Sequence, residues 1–351
     1  YIRGMSVRTI LVCEAQVPFV HGGAESLVRQ LVAQLGARGY LVDRVSLPFK
    51  WYPKEEILAH AAAWRLLDLS ESNGRPIDRV IATKFPSYFA RHPNKVTWLI
   101  HQHRAAYDLC GTAFSDFEEI ESDVGLRDRL LRLDREMLAE SRRVFTIGRV
   151  VSERLEKFNG LRAPVLHNPP VLAARLKPGP YGEYMLSVGR IESIKRVDLA
   201  VRALQYADPS VTLVVVGDGT HRPHVEREVE RLGLSDRVRL LGSVDDDTLV
   251  ELYANALGVV FAPYDEDYGY VTLEAFLSAK PVVTARDSGG TLEFVADGVN
   301  GFVCEPQPEA LGAAFQALTS DRRLARSLGE AGLQRARAIT WDSVIEQLAA
   351  D

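Results

Sequence analysis

Two glutamates bound the stretch Glu266-Asp-Tyr-Gly-Tyr-Val-Thr-Leu-Glu274, with Gly269 between them. Carboxylates accept hydrogen bonds from hydroxyls. Residues 271–279 read as a helix that opens just after the glycine, and a helix N-terminus offers unpaired N–H groups and partial positive charge to phosphate. The apolar run 257–262, closed by Pro263, reads as a buried parallel strand ahead of the loop. The loop therefore carries one carboxylate and the helix the other. One loop could hold both the hydroxyls and the phosphates of a sugar nucleotide.

Two cations stand at a spacing suited to the same chemistry. Ser187-Val-Gly189-Arg190 ends a strand, and Lys195 follows five residues after the arginine. A departing diphosphate needs fixed positive charge where its own charge grows. Arginine grips phosphate with two N–H groups, and lysine acts as a point charge. Two solvated surface cations are the plain alternative. Val215-Val-Gly217-Asp218-Gly219 follows the next strand. A dinucleotide fingerprint would need a third glycine where Arg222 stands, so that match fails. Backbone groups near Gly217 and Asp218, and near Arg239 and Leu240, are candidates to seat a nucleotide base.

In the first half, Gly22-Gly23 follows the first strand's loop and opens a helix. An ordinary strand-to-helix turn would also explain the pair. Glu25 suits the helix dipole and needs no functional role. Trp98-Leu-Ile-His101-Gln-His103-Arg104 ends a strand, so its polar residues emerge at a carboxyl end. His101 directly follows the apolar run and is the candidate active-site histidine, His103 is the alternative, and Arg104 is a candidate acceptor contact. Two histidines two apart lack a third ligand nearby, so no metal site is expected.

A chain of 351 residues suggests two domains. Strands are expected at 8–13, 41–47, 79–83, 96–100 and 144–147, with helices at 24–37 and 126–141. Two Pro-rich clusters, 168–170 and 177–180, bracket a linker. The alternation then restarts, with strands at 184–188, 211–216, 238–241, 257–262 and 281–285. Helices are expected at 197–204, 222–232 and 245–254, and helices alone from 285 to the end. Such alternation implies α/β doubly wound parallel sheets. The expected division is an acceptor-side domain at 5–170, a linker at 171–180 and a nucleotide-binding domain at 181–338. A C-terminal helix at 339–351 packs back on the first domain. Tandem domains of this class place a ligand cleft at the carboxyl ends of their strands.

Residues 1–170 carry 24 Lys/Arg and 20 Asp/Glu, and the remainder carries 18 and 27. A mildly basic first half could favour an anionic membrane surface, though mixed solvated charge accounts for it equally. Helix 126–141, with Arg127, Arg129, Arg132 and Arg135, could face lipid. Its acids Asp128, Asp134, Glu136 and Glu140 make a salt-laced solvated helix the better reading. No dense basic patch with interleaved aromatics points to nucleic acid. No apolar run approaches the roughly 18 residues of a membrane span. No leader pattern precedes Met5, and Tyr1-Ile-Arg-Gly4 is set aside from fold reasoning. Cys13, Cys110 and Cys304 show no metal or redox spacing, which fits a reducing, cytoplasmic setting.

The series Gly189-Arg190…Lys195, Gly217-Asp-Gly219, Val238-Arg-Leu-Leu-Gly242, Glu266…Glu274, Ser288-Gly-Gly290, Glu293 and Asp297-Gly-Val-Asn-Gly301 resembles the retaining glycosyltransferases of family 4. These enzymes have the GT-B fold, two Rossmann-like domains facing a central cleft. The resemblance implies a nucleoside diphosphate sugar as co-substrate, no cofactor and no metal. It makes Arg190 and Lys195 the diphosphate clamp, Glu274 a ribose ligand and Glu266 a ligand of the transferred sugar. Backbone N–H groups of Tyr268, Gly269, Tyr270 and Val271 would meet sugar and diphosphate, and Gly22 and Gly23 would approach donor phosphate and acceptor. A histidine at His101 or His103 would lie near the transferred sugar. Tyr268 stands where the family often has Phe, and Ala279 where it often has Gly. The implied activity is hexose transfer to the hydroxyl of a carbohydrate or lipid-linked acceptor, with UDP donors favoured over GDP. An epimerase or hydrolase on the same fold, or a non-catalytic sugar-nucleotide sensor, are the rivals.

Overall fold

The computed structural model describes residues 8–20 and 22–350. Met5 and Tyr1-Ile-Arg-Gly4 lie outside them. The chain divides into two compact units. One holds the described residues up to Asn168 together with those from Thr340 onward, and the other is Pro169–Ile339.

The first unit opens with strand β1 (Thr9–Gln16), helix α1 (Gly23–Ala37) and strand β2 (Leu41–Pro48). Helix α2 (Ile57–Arg65) and a two-residue ribbon of β3 (Glu71–Ser72) and β4 (Arg75–Pro76) follow. Then come β5 (Arg79–Ala82), β6 (Lys95–Leu99), α3 (Glu121–Ala139), β7 (Arg143–Thr146) and α4 (Arg149–Asn159). The sheet order is β2-β1-β5-β6-β7, parallel throughout. β5 and β6 are buried along their whole length, as strands covered on both faces must be. Helix α1 buries Leu27, Val28, Leu31 and Leu35 on one stripe, the spacing of an amphipathic helix.

The second unit runs β8 (Tyr184–Val188), α5 (Val197–Ala203), β9 (Thr212–Val216), α6 (Arg222–Arg231), β10 (Val238–Gly242) and α7 (Asp246–Asn255). It continues with β11 (Gly258–Val260), α8 (Tyr270–Leu277), β12 (Val282–Ala285), β13 (Gly301–Cys304), α9 (Pro308–Ser320) and α10 (Arg322–Arg337). Its sheet order is β10-β9-β8-β11-β12-β13, again parallel. Order reverses beside β8, which is where such sheets bind ligands, at the carboxyl ends of their strands. The parallel, helix-covered class expected from the alternation is therefore present in both units.

Several local expectations fail for physical reasons. The stretch beyond 285 is not all helical, because β13 adds an edge strand beside β12. Only four residues long, β13 follows the turn motif Asp297-Gly-Val-Asn-Gly301, and so it lacks the run of apolar residues that marks a strand. Helix α3 begins at Glu121, ahead of Gly125, and its Asp134 is fully buried rather than solvated. Helix α2, apolar nearly all round, shows no helical period in the chain, and α4 was not expected from it. The Pro-rich stretch is packed against the second unit. Lys280 Nζ donates to the carbonyls of Gly179 at 3.0 Å and Pro180 at 2.7 Å, and Arg175 pairs with Asp246 at 3.0 Å.

Helix α11 (Trp341–Ala349) is held on the first unit. Trp341 meets Trp98 edge-on at 6.3 Å, and the buried Arg79 donates to the carbonyls of Leu348 at 2.9 Å and Ala350 at 2.7 Å. Those last carbonyls have no intrahelical donor, so a buried guanidinium satisfies both itself and the helix end.

Asp134 is a fully buried acid in the first unit's core. The Tyr107 hydroxyl donates to it at 2.5 Å, and Asn159 in turn donates to Tyr107 at 3.1 Å. Burial pushes the carboxyl up to about 7, while the Tyr107 hydrogen bond opposes the rise. The folded chain thus keeps a proton that the unfolded chain has already lost at this pH. Stability falls as pH rises from the ordinary aspartate range to about 7, by at most about 1.4 kcal/mol per pH unit. Asp134→Asn removes this titration. Urea unfolding at pH 5 and pH 8 should show the variant gaining about 2 kcal/mol relative to the parent between the two. An unchanged difference would contradict the assignment.

Candidate functional site

The candidate residues of the second unit stand on loops that leave the carboxyl ends of β8, β9 and β11. Gly189 follows β8 with φ +135°, and Arg190 after it is exposed. No acceptor engages the Arg190 side chain among the described residues. What fixes this loop is backbone on backbone. A Cβ at Gly217 would stand 2.0 Å from the Gly189 carbonyl oxygen, and one at Gly219 would stand 2.3 Å from that of Ile191. Ile191 N donates to the Asp218 carbonyl at 2.9 Å, and Gly189 N to that of Val216 at 3.0 Å. The Gly-Asp-Gly motif is thus the seat on which Arg190 rests. The Asp218 carboxylate accepts from Gly219 N at 2.8 Å.

Lys195 ends a single 3-10 turn and pairs with Glu266. It also lies 5.8 Å from the Phe261 ring. Arg190 and Lys195 line one pocket, together with Gly189, Arg196, Phe261 and Ala262. Arg196, unremarked in the sequence reading, organises that pocket. It has φ +51° at the start of α5 and makes a bidentate pair with Asp287 at 2.6 and 2.8 Å. It also donates to the carbonyls of Ala262 and Pro263 at 2.8 and 2.7 Å. A planar fork with five donors suits such a staple, and a lysine would not replace it.

The Glu266 loop is seated in the same way as the Arg190 loop. Cβ atoms at Gly289 and Gly290 would stand 2.5 Å from the carbonyl oxygens of Glu266 and Asp267. Gly290 N donates to Glu266 O at 2.6 Å. The Ser288-Gly-Gly290 motif therefore supports the acidic loop. Gly269 caps α8 with φ +84°, and a Cβ there would press on Thr291 Oγ1 at 3.0 Å. Its requirement for glycine comes from backbone conformation and interior packing. Tyr268 is buried against Tyr270 and Phe294, with ring centroids 4.8 and 5.2 Å away. Tyr270 and Val271 form the first turn of α8, whose N–H groups lack intrahelical acceptors.

Glu274 lies on α8 and accepts from the Tyr253 hydroxyl at 2.7 Å. Burial raises its pKa, the Tyr253 bond lowers it, and Asp246 raises it again. Glu274 and Glu266 thus have different partners. Arg239 is exposed and Leu240 half-buried on β10. Ala279, where a glycine is the common choice, has φ +54° just past α8. The bonds Lys280 N to Ala275 O and Ala279 N to Phe276 O, both 2.9 Å, close a Schellman turn that favours glycine at this position.

In the first unit, Gly22 caps α1, and its N–H is already taken by Glu25 Oε2 at 2.9 Å. Gly23 is the first, exposed residue of α1. Glu25 pairs with the buried Lys84. Burial alone would raise the Glu25 pKa, but the Lys84 charge and hydrogen bond, with the Gly22 N–H, bring it below the ordinary value. Glu25 is therefore a structural anchor for the glycine loop. His101 Nδ1 lies 2.8 Å from the Gln102 carbonyl, so that nitrogen carries the proton. His103 packs among Phe85, Phe117 and Phe49, with centroids 5.7, 5.9 and 6.1 Å away. Burial, then His101, brings its pKa down to about 4. His103 is a neutral core residue, contrary to an acceptor contact. Arg104 is bonded to Asp108 through Nε at 3.0 Å, and Arg154 shares that carboxylate at 2.8 Å. Among the described residues no group of three or more His, Cys, Asp or Glu could hold a metal ion, and no helix is long and apolar enough to cross a membrane.

Residues 175–335 match the family model described as "Glycosyl transferases group 1". The second unit is thus similar to the group 1 glycosyltransferases. A D-inositol 3-phosphate glycosyltransferase of Salinispora tropica is 34% identical over 192 residues, 51% of this chain and 40% of the relative. The chain thus spans about two fifths of the length of the curated relatives it matches. Among solved structures, the sucrose-phosphate synthase of Thermosynechococcus elongatus aligns with TM-score 0.79 at 19% identity, over 97% of each chain. The Anabaena protein HepE, solved in complex with UDP and glucose, aligns with TM-score 0.72 at 19% identity, over 97% of this chain and 98% of its own. The fold shared with these structures is GT-B.

The seat of Arg190 gives a direct test. Gly217→Ala forces a side chain into the Gly189 carbonyl at a φ that L residues rarely adopt. Overpacking and left-handed strain together should cost about 3 kcal/mol. Urea unfolding measures it, and a loss under about 1 kcal/mol would show that the loop moves aside freely.

Proposed function

We propose that this chain is a retaining, metal-independent hexosyltransferase. It would move one sugar from a nucleoside diphosphate donor, UDP in preference to GDP, to an acceptor hydroxyl. The observation that carries this reading is Arg190. It is an exposed guanidinium with no partner among the described residues, held on a glycine-seated loop and sharing a pocket with Lys195. A cation kept unpaired on a fixed backbone is poised for an anionic ligand, and it needs no reorganisation to meet growing charge. The family match supports a glycosyl donor. The UDP and glucose named for HepE favour a uridine nucleotide.

In this reaction the bond from the anomeric carbon to the phosphate oxygen breaks, and its electron pair leaves with the diphosphate. The acceptor oxygen bonds to the anomeric carbon on the same face, and its proton passes to the departing phosphate oxygen. Arg190 and Lys195 receive the growing charge. Glu266 holds hydroxyls of the sugar, and Glu274 holds the ribose. Donor phosphate would also meet the first-turn N–H groups of α8, with Gly22 and Gly23 facing donor and acceptor and His101 near the sugar. Acceptors would be carbohydrate or lipid-linked, with polysaccharide or glycolipid synthesis in the cytoplasm, at most peripherally on a membrane, as the setting.

A thermal-shift screen against UDP-, GDP-, dTDP- and ADP-sugars should single out one nucleotide, because a ligand of the folded state raises Tm. With that donor, Arg190→Ala should lower turnover about 10²–10³-fold, as loss of one oxyanion donor does. Unchanged transfer would refute the clamp. Release of free sugar or an epimerised donor in the absence of acceptor would identify a hydrolase or epimerase instead.

A further inference from the structure

We propose that Tyr253 is a positioning residue for the Glu274 carboxylate, and that through it α7 sets how tightly the nucleotide's ribose is held. This rests on the donor reading above. Tyr253 is fully buried in α7, and its hydroxyl donates to Glu274 Oε2 at 2.7 Å. The other oxygen, Oε1, has no hydrogen bond among the described residues and is not sealed from solvent. A carboxylate locked through one oxygen presents the other as an acceptor in a fixed plane, the form that a sugar hydroxyl requires.

The platform carrying Tyr253 is itself anchored. Asp245 caps α7 by accepting from Thr248 N at 2.8 Å. The hydroxyl of Tyr184 donates to the carbonyl of Leu252, the residue before Tyr253, at 2.7 Å. Lys177 pairs with Glu251 at 2.6 Å. Cβ atoms at Gly179 and Gly182 would stand 2.4 and 2.3 Å from the carbonyl oxygens of Ala254 and Asn255, so backbone lies directly on the helix end. A tyrosine on such a support cannot drift, and neither can the carboxylate bonded to it. The charged groups bearing on Glu274 act in the same sense. Burial and Asp246 disfavour its ionised form, and the Tyr253 bond favours it. The hydroxyl thus helps keep Glu274 an acceptor.

Tyr253→Phe keeps the ring and removes only this bond. Calorimetric titration of the full chain with UDP should give about tenfold weaker binding, the scale seen when a partner that orients a metal ligand is lost. The donor KM should rise by a similar factor with kcat within about twofold. Affinity for inorganic pyrophosphate, which has no ribose, should be unchanged. In a Glu274→Gln background the same substitution should add little, because the two residues act as one unit. Equal losses for UDP and pyrophosphate would mean a merely structural tyrosine and overturn the proposal, as would wild-type UDP affinity in Tyr253→Phe. Wild-type UDP affinity in Glu274→Gln would instead remove the ribose role of Glu274 itself. If Tyr253→Phe lowers Tm too far for titration, Tyr184→Phe supplies a second measurement. Loosening α7 one residue away should weaken UDP in the same sense, with pyrophosphate unmoved, and no selective loss there would count against the proposal.

Discussion

The second unit depends on backbone lying against backbone at two places. Gly217 and Gly219 sit on Gly189 and Ile191, and Gly289 and Gly290 sit on Glu266 and Asp267. Each contact brings a would-be Cβ within 2.5 Å of a carbonyl oxygen, a distance no side chain tolerates. Each also includes hydrogen bonds between the two loops, so the contact is attractive and not merely close. Glycine is required here for approach, and at Gly217 and Gly289 for positive φ as well. Loops are ordinarily the mobile part of an α/β unit. Here the loops that carry Arg190 and Glu266 are braced by other loops, which makes precise placement of their side chains possible.

This bracing explains what could be read in the chain and what could not. The Glu266…Glu274 spacing, the Gly189-Arg190…Lys195 series and the glycine motifs were legible because each is short and local. Strands β8 to β10 and helices α5 to α7 were legible because apolar period and turn residues agree. The supports were not. Arg196 and Asp287 are 91 residues apart, and Tyr253 and Glu274 are 21 apart, so neither pair has a sequence signature. Their one trace is chemical type: an arginine beside the lysine of the clamp series, and a tyrosine in an otherwise ordinary helix. The packing around Gly269 was not legible for a related reason. Sequence shows that a glycine is present, but not which side of the backbone its missing Cβ would occupy.

His101 and His103 make the same point in the first unit. Two residues apart at a strand end, they differ in the chain only in that His101 directly follows the apolar run. Packing separates them, since three phenylalanine rings from distant segments enclose His103. An imidazole so enclosed is held neutral across the physiological range, because burial penalises its charged form. His101 instead places Nδ1 on the Gln102 carbonyl, outside that aromatic enclosure. Alternation alone would not have favoured the first over the second.

Charge pairing separates the two clamp cations as well. Lys195 is paired with Glu266, with about a fifth of each side chain exposed, whereas Arg190 has no partner among the described residues. A partly solvated pair of this kind is worth about 1 kcal/mol or less, so it can open without great cost. On the proposed reading, phosphate would take Lys195 and the sugar hydroxyls would take Glu266, and the two would part together. The pair then keeps both side chains ordered while the site is empty, and it neutralises a carboxylate that would otherwise repel an anionic donor. On that reading Arg190, which has no such restraint among the described residues, would supply the charge that first attracts the donor. The division of labour follows from geometry. A point charge on a flexible stem exchanges partners readily, whereas a planar fork performs best when its direction is fixed by the backbone beneath it.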